Sequence, residues 1–548
     1  MNKLREVLLV ALMVGTCVPA ALADVPAGAS PSRPAEAPAD LWPLARKHAE
    51  TFRFSTLFTA QEVRDWLSKP DGITEAIRWC RATAVTRVFV ETFRDGYTAD
   101  RDTLVRARDA FKEAGLLVSG CVTTTDIGRE SVRGWRFPCF SEQAGLNNLK
   151  RIFEYTAGLF DEIMIDDFLA TMCECEDCVK ARGEKSWSQF RLEQMADVSR
   201  RYVLEPARRI NPRVKLIIKY PCWYDAFHQG GYDVAGQTAM FDKMWVGTET
   251  RDPDNLEWGH KPQYEAYFIM RWLGQVGGAK CGGGWFDYLG TTPPTYLEQA
   301  RQTVLGGARE AMLFCYGGLH TSGGQADVEA LRKEIPGLFE LAELVHGKKP
   351  WGIAAPKPPN SDAHGNMYVY GFIGMLGLPL VPEARVRADV QAAFLPVQAL
   401  KHPQTPAVIA KIMEAKTPVL LTRQLAEKLP KDLRLEGNVE VLDIPADAWE
   451  LVNLPRERLR AIRKHLLTPL GMEFEAPSRV ALYLFDEGLV AVENFNDFEV
   501  EAQVTLRGAS RPELALALPA GSTKVMAAEN GATLKIQPRS LAMLRFKR

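Results

Sequence analysis

The chain has 548 residues, and its 67 Lys and Arg are balanced by 68 Asp and Glu. No global field draws it to nucleic acid or to an acidic surface, so any partner must be recognised by a local site. At about one domain per 100–200 residues, the length predicts two to four domains.

The N-terminus opens with Lys3 and Arg5, runs apolar from Val7 through Val14 and reaches the small-residue triplet Ala21-Leu22-Ala23. This is the pattern of a secretory signal over residues 1–23, cleaved before Asp24, and it predicts a secreted or periplasmic protein. Residues 24–40 are rich in Pro, Ala and Ser and read as a flexible lead-in. No later stretch reaches the roughly 18 uninterrupted apolar residues of a bilayer span, so a soluble product is expected. Of the ten cysteines, Cys17 falls in the signal. Cys80, Cys121 and Cys315 sit singly in apolar periodic segments and are expected as buried free thiols.

From residue 41 to residue 349, short β-branched or aromatic runs alternate with amphipathic helical stretches. Eight strands are predicted, over residues 54–58, 86–93, 117–123, 162–167, 215–219, 243–248, 281–287 and 311–316. Eight βα units in about 250–300 residues predict a closed (β/α)8 TIM barrel in preference to an open doubly wound sheet. Pro350, Pro356, Pro358 and Pro359 then break the rhythm and read as a boundary. Residues 350–470 alternate strand-like pieces at 394–397, 418–421 and 439–444 with helical patterns, predicting a small flavodoxin-like α/β unit. No Gly-rich phosphate loop opens its helices, so no nucleotide or other organic cofactor is expected. Residues 471–548 show period-two alternation from Val480 onward, which predicts a small antiparallel β-sandwich.

In a barrel of this kind the chemistry lies at the carboxyl ends of the strands. Those ends carry Glu91 on strand two, Asp166 and Asp167 on strand four, Lys219 and then Trp223 on strand five, Glu249 and Arg251 after strand six, and Trp285, Asp287 and Tyr288 on strand seven. Carboxylates beside aromatic platforms suit a sugar ring, whose C–H faces stack on aromatics and whose hydroxyls need charged acceptors. Glu91 has a second reading as a solvated charge beside Arg94, and Glu249 as an ion-pair partner of Arg251. Asp166 and Asp167 directly follow the apolar run Ile163-Met164-Ile165, which puts them at the rim of a barrel strand.

The sharpest local motif is Cys173-Glu174-Cys175-Glu176-Asp177-Cys178, directly after strand four. Three thiolates this close can converge on one tetrahedral metal, and Cys139 on the neighbouring loop is the candidate fourth ligand. A disulfide within this set, or free thiols, is the alternative. Ligation by four sulfurs would leave no open position, so a metal here would be structural.

With Cys139 and this cluster, the segment 306–314, and Leu376-Gly377-Leu378-Pro379-Leu380, the chain resembles the three-domain beta-galactosidases of glycoside hydrolase family 42. The resemblance implies a structural zinc on Cys139, Cys173, Cys175 and Cys178, and a trimer formed through the flavodoxin-like unit. It also implies a glycosidase. The chain departs from the family at the carboxylates, with Asp166-Asp167 where the family has Asn-Glu and Asp287 where it has a strand-seven nucleophilic Glu.

Two functions follow as expectations. One is a hydrolase cutting an O-glycosidic bond of an oligosaccharide or polysaccharide by two carboxylates, with retention, Asp167 as acid/base and Asp287 as nucleophile. Within it, an alternative makes Asp166 or Asp167 the nucleophile and Glu249 the acid. The other function is a glycan-binding protein on a glycosidase fold that does not hydrolyse.

Overall fold

A computed structural model describes residues 40–134, 136–321, 323–433, 435 and 437–547. The signal segment, and the lead-in up to residue 39, lie outside the described residues.

Eight parallel strands form a closed barrel: β1 (Arg53–Phe58), β2 (Val85–Arg94), β3 (Leu117–Val122), β4 (Glu162–Ile165), β5 (Lys215–Tyr220), β6 (Lys243–Gly247), β7 (Cys281–Asp287) and β8 (Glu310–Phe314). Each pairs with its sequence neighbour, and pairing of β1 with both β2 and β8 closes the ring. The lumen is packed: Leu57, Phe89, Cys121, Met164, Ile217, Trp245, Trp285 and Met312 form one buried cluster, with one side chain from each strand. The glycines of β7 make room for the largest of these, because a Cβ at Gly282 would lie 2.7 Å from the Trp245 indole nitrogen. No helix among the described residues is long and apolar enough to cross a membrane.

Strand four ends two residues earlier than its apolar pattern predicts. The Asp166 amide still donates to the Val122 carbonyl at 2.9 Å, but the Phe168 amide turns back to the Asp166 carbonyl at 2.8 Å. This turn lifts Asp166 and Asp167 off the sheet and onto the rim. Strand eight likewise stops at Phe314, because Cys315 begins the short helix Tyr316–His320.

The second sheet holds β9 (Ile353–Pro356), β10 (Leu380–Glu383), β11 (Ala393–Leu395), β12 (Val419–Thr422) and β13 (Val439–Leu442), all parallel, in the order β10-β9-β11-β12-β13. This is the flavodoxin-like order. Its first strand lies inside the Pro-rich run, with Pro356 at the strand end, where the missing amide costs least. Apart from the two-residue strand Tyr97–Thr98, which pairs antiparallel with the end of β2, the remaining eight strands form two four-stranded antiparallel sheets: Met472–Glu475, Val500–Leu506, Gly531–Ile536 and Thr523–Ala527 in one, and Val480–Phe485, Leu489–Asn494, Ser540–Arg545 and Glu513–Leu518 in the other.

Buried polar contacts lock the second sheet onto the barrel. Asp225, in the loop after β5, meets Lys357 Nζ at 3.2 Å and accepts from the Tyr368 amide at 2.9 Å. Trp272 Nε1 donates to the Lys357 carbonyl at 2.6 Å. These contacts bring the segment around Tyr368 to the barrel mouth. Both charges of the Asp225–Lys357 pair are essentially inaccessible to solvent, at 0% and 1%. Asp225→Ala would therefore strand a buried ammonium, and a loss of about 3–5 kcal/mol in urea unfolding is the expected result.

Candidate functional site

The strand ends carry more carboxyl groups than cations. Asp166 accepts from both Lys219 and Arg94, and from Thr123 Oγ1 at 3.2 Å. Glu91 is fully buried and accepts from Arg94 Nε at 2.8 Å and from the Ala60 amide at 2.9 Å. It is thus an interior partner of Arg94 and not a solvated charge. Lys219 Nζ also lies 3.7 Å from the centroid of the Trp285 ring. Trp285 itself is 2% exposed and acts from within the lumen, against Lys219, as a cation–π platform.

Across the mouth, Arg251 Nη2 donates to Glu249 Oε2 at 2.7 Å and to Asp287 Oδ2 at 2.9 Å. Asp287 also accepts from the Leu289 amide at 2.8 Å, so both of its oxygens are engaged. Glu249 keeps Oε1 buried and without a hydrogen-bond partner. A Cβ at Gly247 would come within 2.9 Å of that oxygen, which explains a glycine at the end of β6.

Five carboxyl groups, Glu91, Asp166, Asp167, Glu249 and Asp287, thus face four cations, Arg94, Lys219 and Arg251 at the strand ends and Lys261 on the cavity wall near Glu249. They cannot all ionise without an uncompensated buried charge. Burial would raise the Asp166 carboxyl, but Lys219 and Arg94 outweigh it and hold the group below the usual carboxylate range. Asp167 has no ion pair with a described residue. Burial, and next the neighbouring Asp166 charge, push it well above that range. Burial also raises Glu249 and Asp287, opposed by Arg251. The adjacent aspartates are therefore driven apart, Asp166 toward its ionised form and Asp167 toward its protonated form.

Asp167, Glu249 and Arg251 line a cavity of about 350 Å³ at the mouth. Its walls are aromatic: Phe137, Trp223 and Trp258 from the barrel loops, and Tyr368, Phe372 and Trp449 from the second unit. Three residues on this wall, Arg251, His260 and Tyr368, hold left-handed backbone with φ of +60°, +57° and +55°. Such conformations persist in non-glycine residues when surrounding contacts over-determine them. Tyr288 packs in the β8 loop, where a Cβ at Gly318 would meet its ring at 2.2 Å.

Sequence reasoning missed Trp258 and Lys261, which sit in a Pro- and Asn-containing loop well beyond β6. It also missed Tyr368 and Trp449, whose approach to the mouth depends on how the second sheet docks. The Asp447 carboxylate caps the turn carrying Trp449 by accepting from the Trp449 amide at 3.0 Å, a local signal that says nothing of the barrel.

The four cysteines converge beside this mouth. The sulfurs of Cys139, Cys173, Cys175 and Cys178 all lie within 4.8 Å of one another. Cys139–Cys175, Cys139–Cys178 and Cys175–Cys178 are 3.8, 3.7 and 3.6 Å apart. A tetrahedron of sulfurs about 2.3 Å from a metal has edges of about 3.8 Å, so the set fits one ion. All described cysteines are free, and Cys80, Cys121 and Cys315 are buried. Thr171 Oγ1 donates to the Pro138 carbonyl at 2.9 Å, tying the two cysteine loops together just beyond Asp167.

A barrel whose strand ends hold paired carboxyl groups under aromatic walls defines the class of carbohydrate-type barrel sites. Residues 41–361 match the family described as "Probable glycosyl hydrolase, catalytic domain", and the chain belongs to that family. The "Uncharacterized protein SSO3021" of Saccharolobus solfataricus is 24% identical over 361 residues, covering 60% of this chain and 60% of that one. The match thus spans about 60% of the length of that curated relative. Among solved structures, the alpha-L-fucosidase isoenzyme 2 from Paenibacillus thiaminolyticus is similar at 11% identity and a TM-score of 0.58, over 90% of this chain and 99% of that one. The exo-beta-1,4-mannosidase Op5Man5 from Opitutaceae bacterium strain TAV5 shares 11% identity with a TM-score of 0.45, over 84% and 87% of the two chains. The fucosidase likeness is one of fold.

The charge network makes its own prediction. Lys219→Met should cost about 3–5 kcal/mol in denaturant unfolding, because Asp166 is then buried with one cation fewer. Adding Asp166→Asn should recover part of that loss, giving a coupling energy that a double-mutant cycle measures.

Proposed function

We propose that this protein is a glycoside hydrolase in which Asp167 is the acid/base and Glu249 the facing carboxylate. The observation that carries this reading is that both line one aromatic cavity, Asp167 driven toward its protonated form and Glu249 beside Arg251 with one oxygen unpartnered. Asp287 is then a positioning residue, since its two oxygens hold Arg251 and the Leu289 amide. A sugar stacked between Trp223, Trp258 and Trp449 would present its anomeric carbon to these groups.

In this reading Asp167 gives its proton to the leaving oxygen while Glu249 attacks the anomeric carbon. Asp167 next takes a proton from water, which hydrolyses the glycosyl ester, and the sugar leaves with retained configuration. The substrate is an oligosaccharide or a polysaccharide, met outside the cytoplasm in keeping with the N-terminal segment. The cysteine set and the three-part architecture support kinship with the family 42 enzymes, including zinc on the four sulfurs. That metal would hold the loop after β4, and with it the Asp167 rim, and would take no part in the chemistry.

The two carboxyl groups predict opposite limbs of a pH profile. Asp167 must be protonated, so kcat/KM falls as pH rises through its raised pKa, and Glu249 must be ionised, so kcat/KM falls as pH drops through its own. Asp167→Asn should remove the high-pH limb and lower the rate by about 10²–10⁴-fold. Azide should rescue Glu249→Ala with an inverted glycosyl azide. Rescue of Asp287→Ala in its place would move the nucleophile to β7, and binding without turnover for any glycoside would point to a glycan-binding protein.

Elemental analysis of the purified protein should find one zinc per chain, lost in Cys175→Ser together with several degrees of thermal stability. Absence of metal with any two of the four cysteines oxidised to a disulfide would contradict the zinc assignment.

A further inference from the structure

A second cavity, of about 590 Å³, opens on the opposite face of the barrel. Thr51 before β1, Cys281 at the start of β7 and Arg309 before β8 mark it as the N-terminal face. Val381 and Pro382 of the second sheet close one side. Its lining carries Arg271, Arg309, His346, Lys348 and Lys349, and no Asp or Glu. In a chain whose net charge is −1, this is a local segregation of positive charge.

The cations are also poorly neutralised. Among the described residues only Lys348 of the five has a carboxylate partner, the exposed Glu487 at 2.5 Å. Arg271 is half-buried. Its Nη2 donates to the Leu305 carbonyl at 2.5 Å, and its guanidinium lies 5.6 and 5.2 Å from the rings of Tyr267 and Phe485. Its Nε is buried with no hydrogen-bond partner, and burial depresses its pKa from the ordinary arginine value. Gly307, at φ +85°, lets the guanidinium lie against the backbone, since a Cβ there would meet Nη1 at 2.9 Å.

A guanidinium partly withdrawn from water without a counter-charge carries a cost, which a bound anion lowers. Arginine presents a donor fork that matches an oxyanion, and lysine adds a mobile point charge. We propose that this cavity is a binding site for a phosphate- or sulfate-class oxyanion, with Arg271 at its floor and His346 and Lys349 at its rim. The volume exceeds that of the bare ion and leaves room for a small organic body on it. The site lies across the barrel from the carboxylate mouth and stands independently of the hydrolase reading.

Inorganic phosphate is the probe, titrated calorimetrically into the full chain against sodium chloride at matched ionic strength. The expected result is saturable one-site binding, accompanied by a rise in Tm that grows with phosphate concentration as linkage requires. His346→Ala/Lys349→Ala, which alters only exposed side chains, should weaken it at least tenfold, and Lys349→Glu should weaken it further. Turnover of any glycoside substrate should be unchanged in both variants. Phosphate indistinguishable from chloride would overturn the proposal, and so would an affinity that survives both variants, because the ion would then bind elsewhere.

Discussion

The site depends on a shortage of positive charge at the strand ends. Arg94 and Arg251 are each shared between two carboxylates, Lys219 is paired with Asp166, and Asp167 has no ion pair among the described residues. Within a poorly solvated site this deficit favours retention of a proton where the cost of ionisation is greatest. That place is Asp167, half-buried beside an anion already stabilised by two cations. Its raised pKa follows from its burial first and from the neighbouring Asp166 charge second.

The fold supplies this arrangement through backbone geometry at a few points. The turn after β4 raises the two aspartates together, and Gly247 leaves the gap in which the Glu249 carboxylate lies. The Asp225–Lys357 pair pins the second sheet so that Tyr368 and Trp449 complete the aromatic wall. The cysteine cluster lies at the far end of the same β4 loop, where Thr171 is tied to the Pro138 carbonyl beside Cys139. The rim is therefore held by ion pairs toward the barrel and by this hydrogen bond toward the neighbouring loop.

Much of this was legible in the sequence, because the signals were local. The apolar run Ile163-Met164-Ile165 located the aspartates, period-two alternation located the sandwich, and C-x-C-x-x-C spacing located the cysteine set. The eight strands came within a residue or two of their observed bounds, and the misplaced ends, at β4 and β8, are those where a turn or helix cap competes with the ladder. Hidden features were of another kind. Which carboxylate Arg251 leaves partly free, and which residues of the second unit reach the mouth, depend on long-range docking. Trp285 looked like a sugar platform from its position, but its ring faces Lys219 within the lumen. The first strand of the second sheet was masked by the prolines around it.

The central claim is the retained proton on Asp167, and the direct measurement is a carbon-13 NMR titration of the protein labelled at aspartate side-chain carboxyl carbons. The account predicts one aspartate titrating well above the ordinary range near pH 4, its resonance missing in Asp167→Asn and its pKa lowered when Asp166 is replaced by Asn. A spectrum in which every aspartate titrates in the ordinary range, or in which the high-titrating resonance survives in Asp167→Asn, would contradict it.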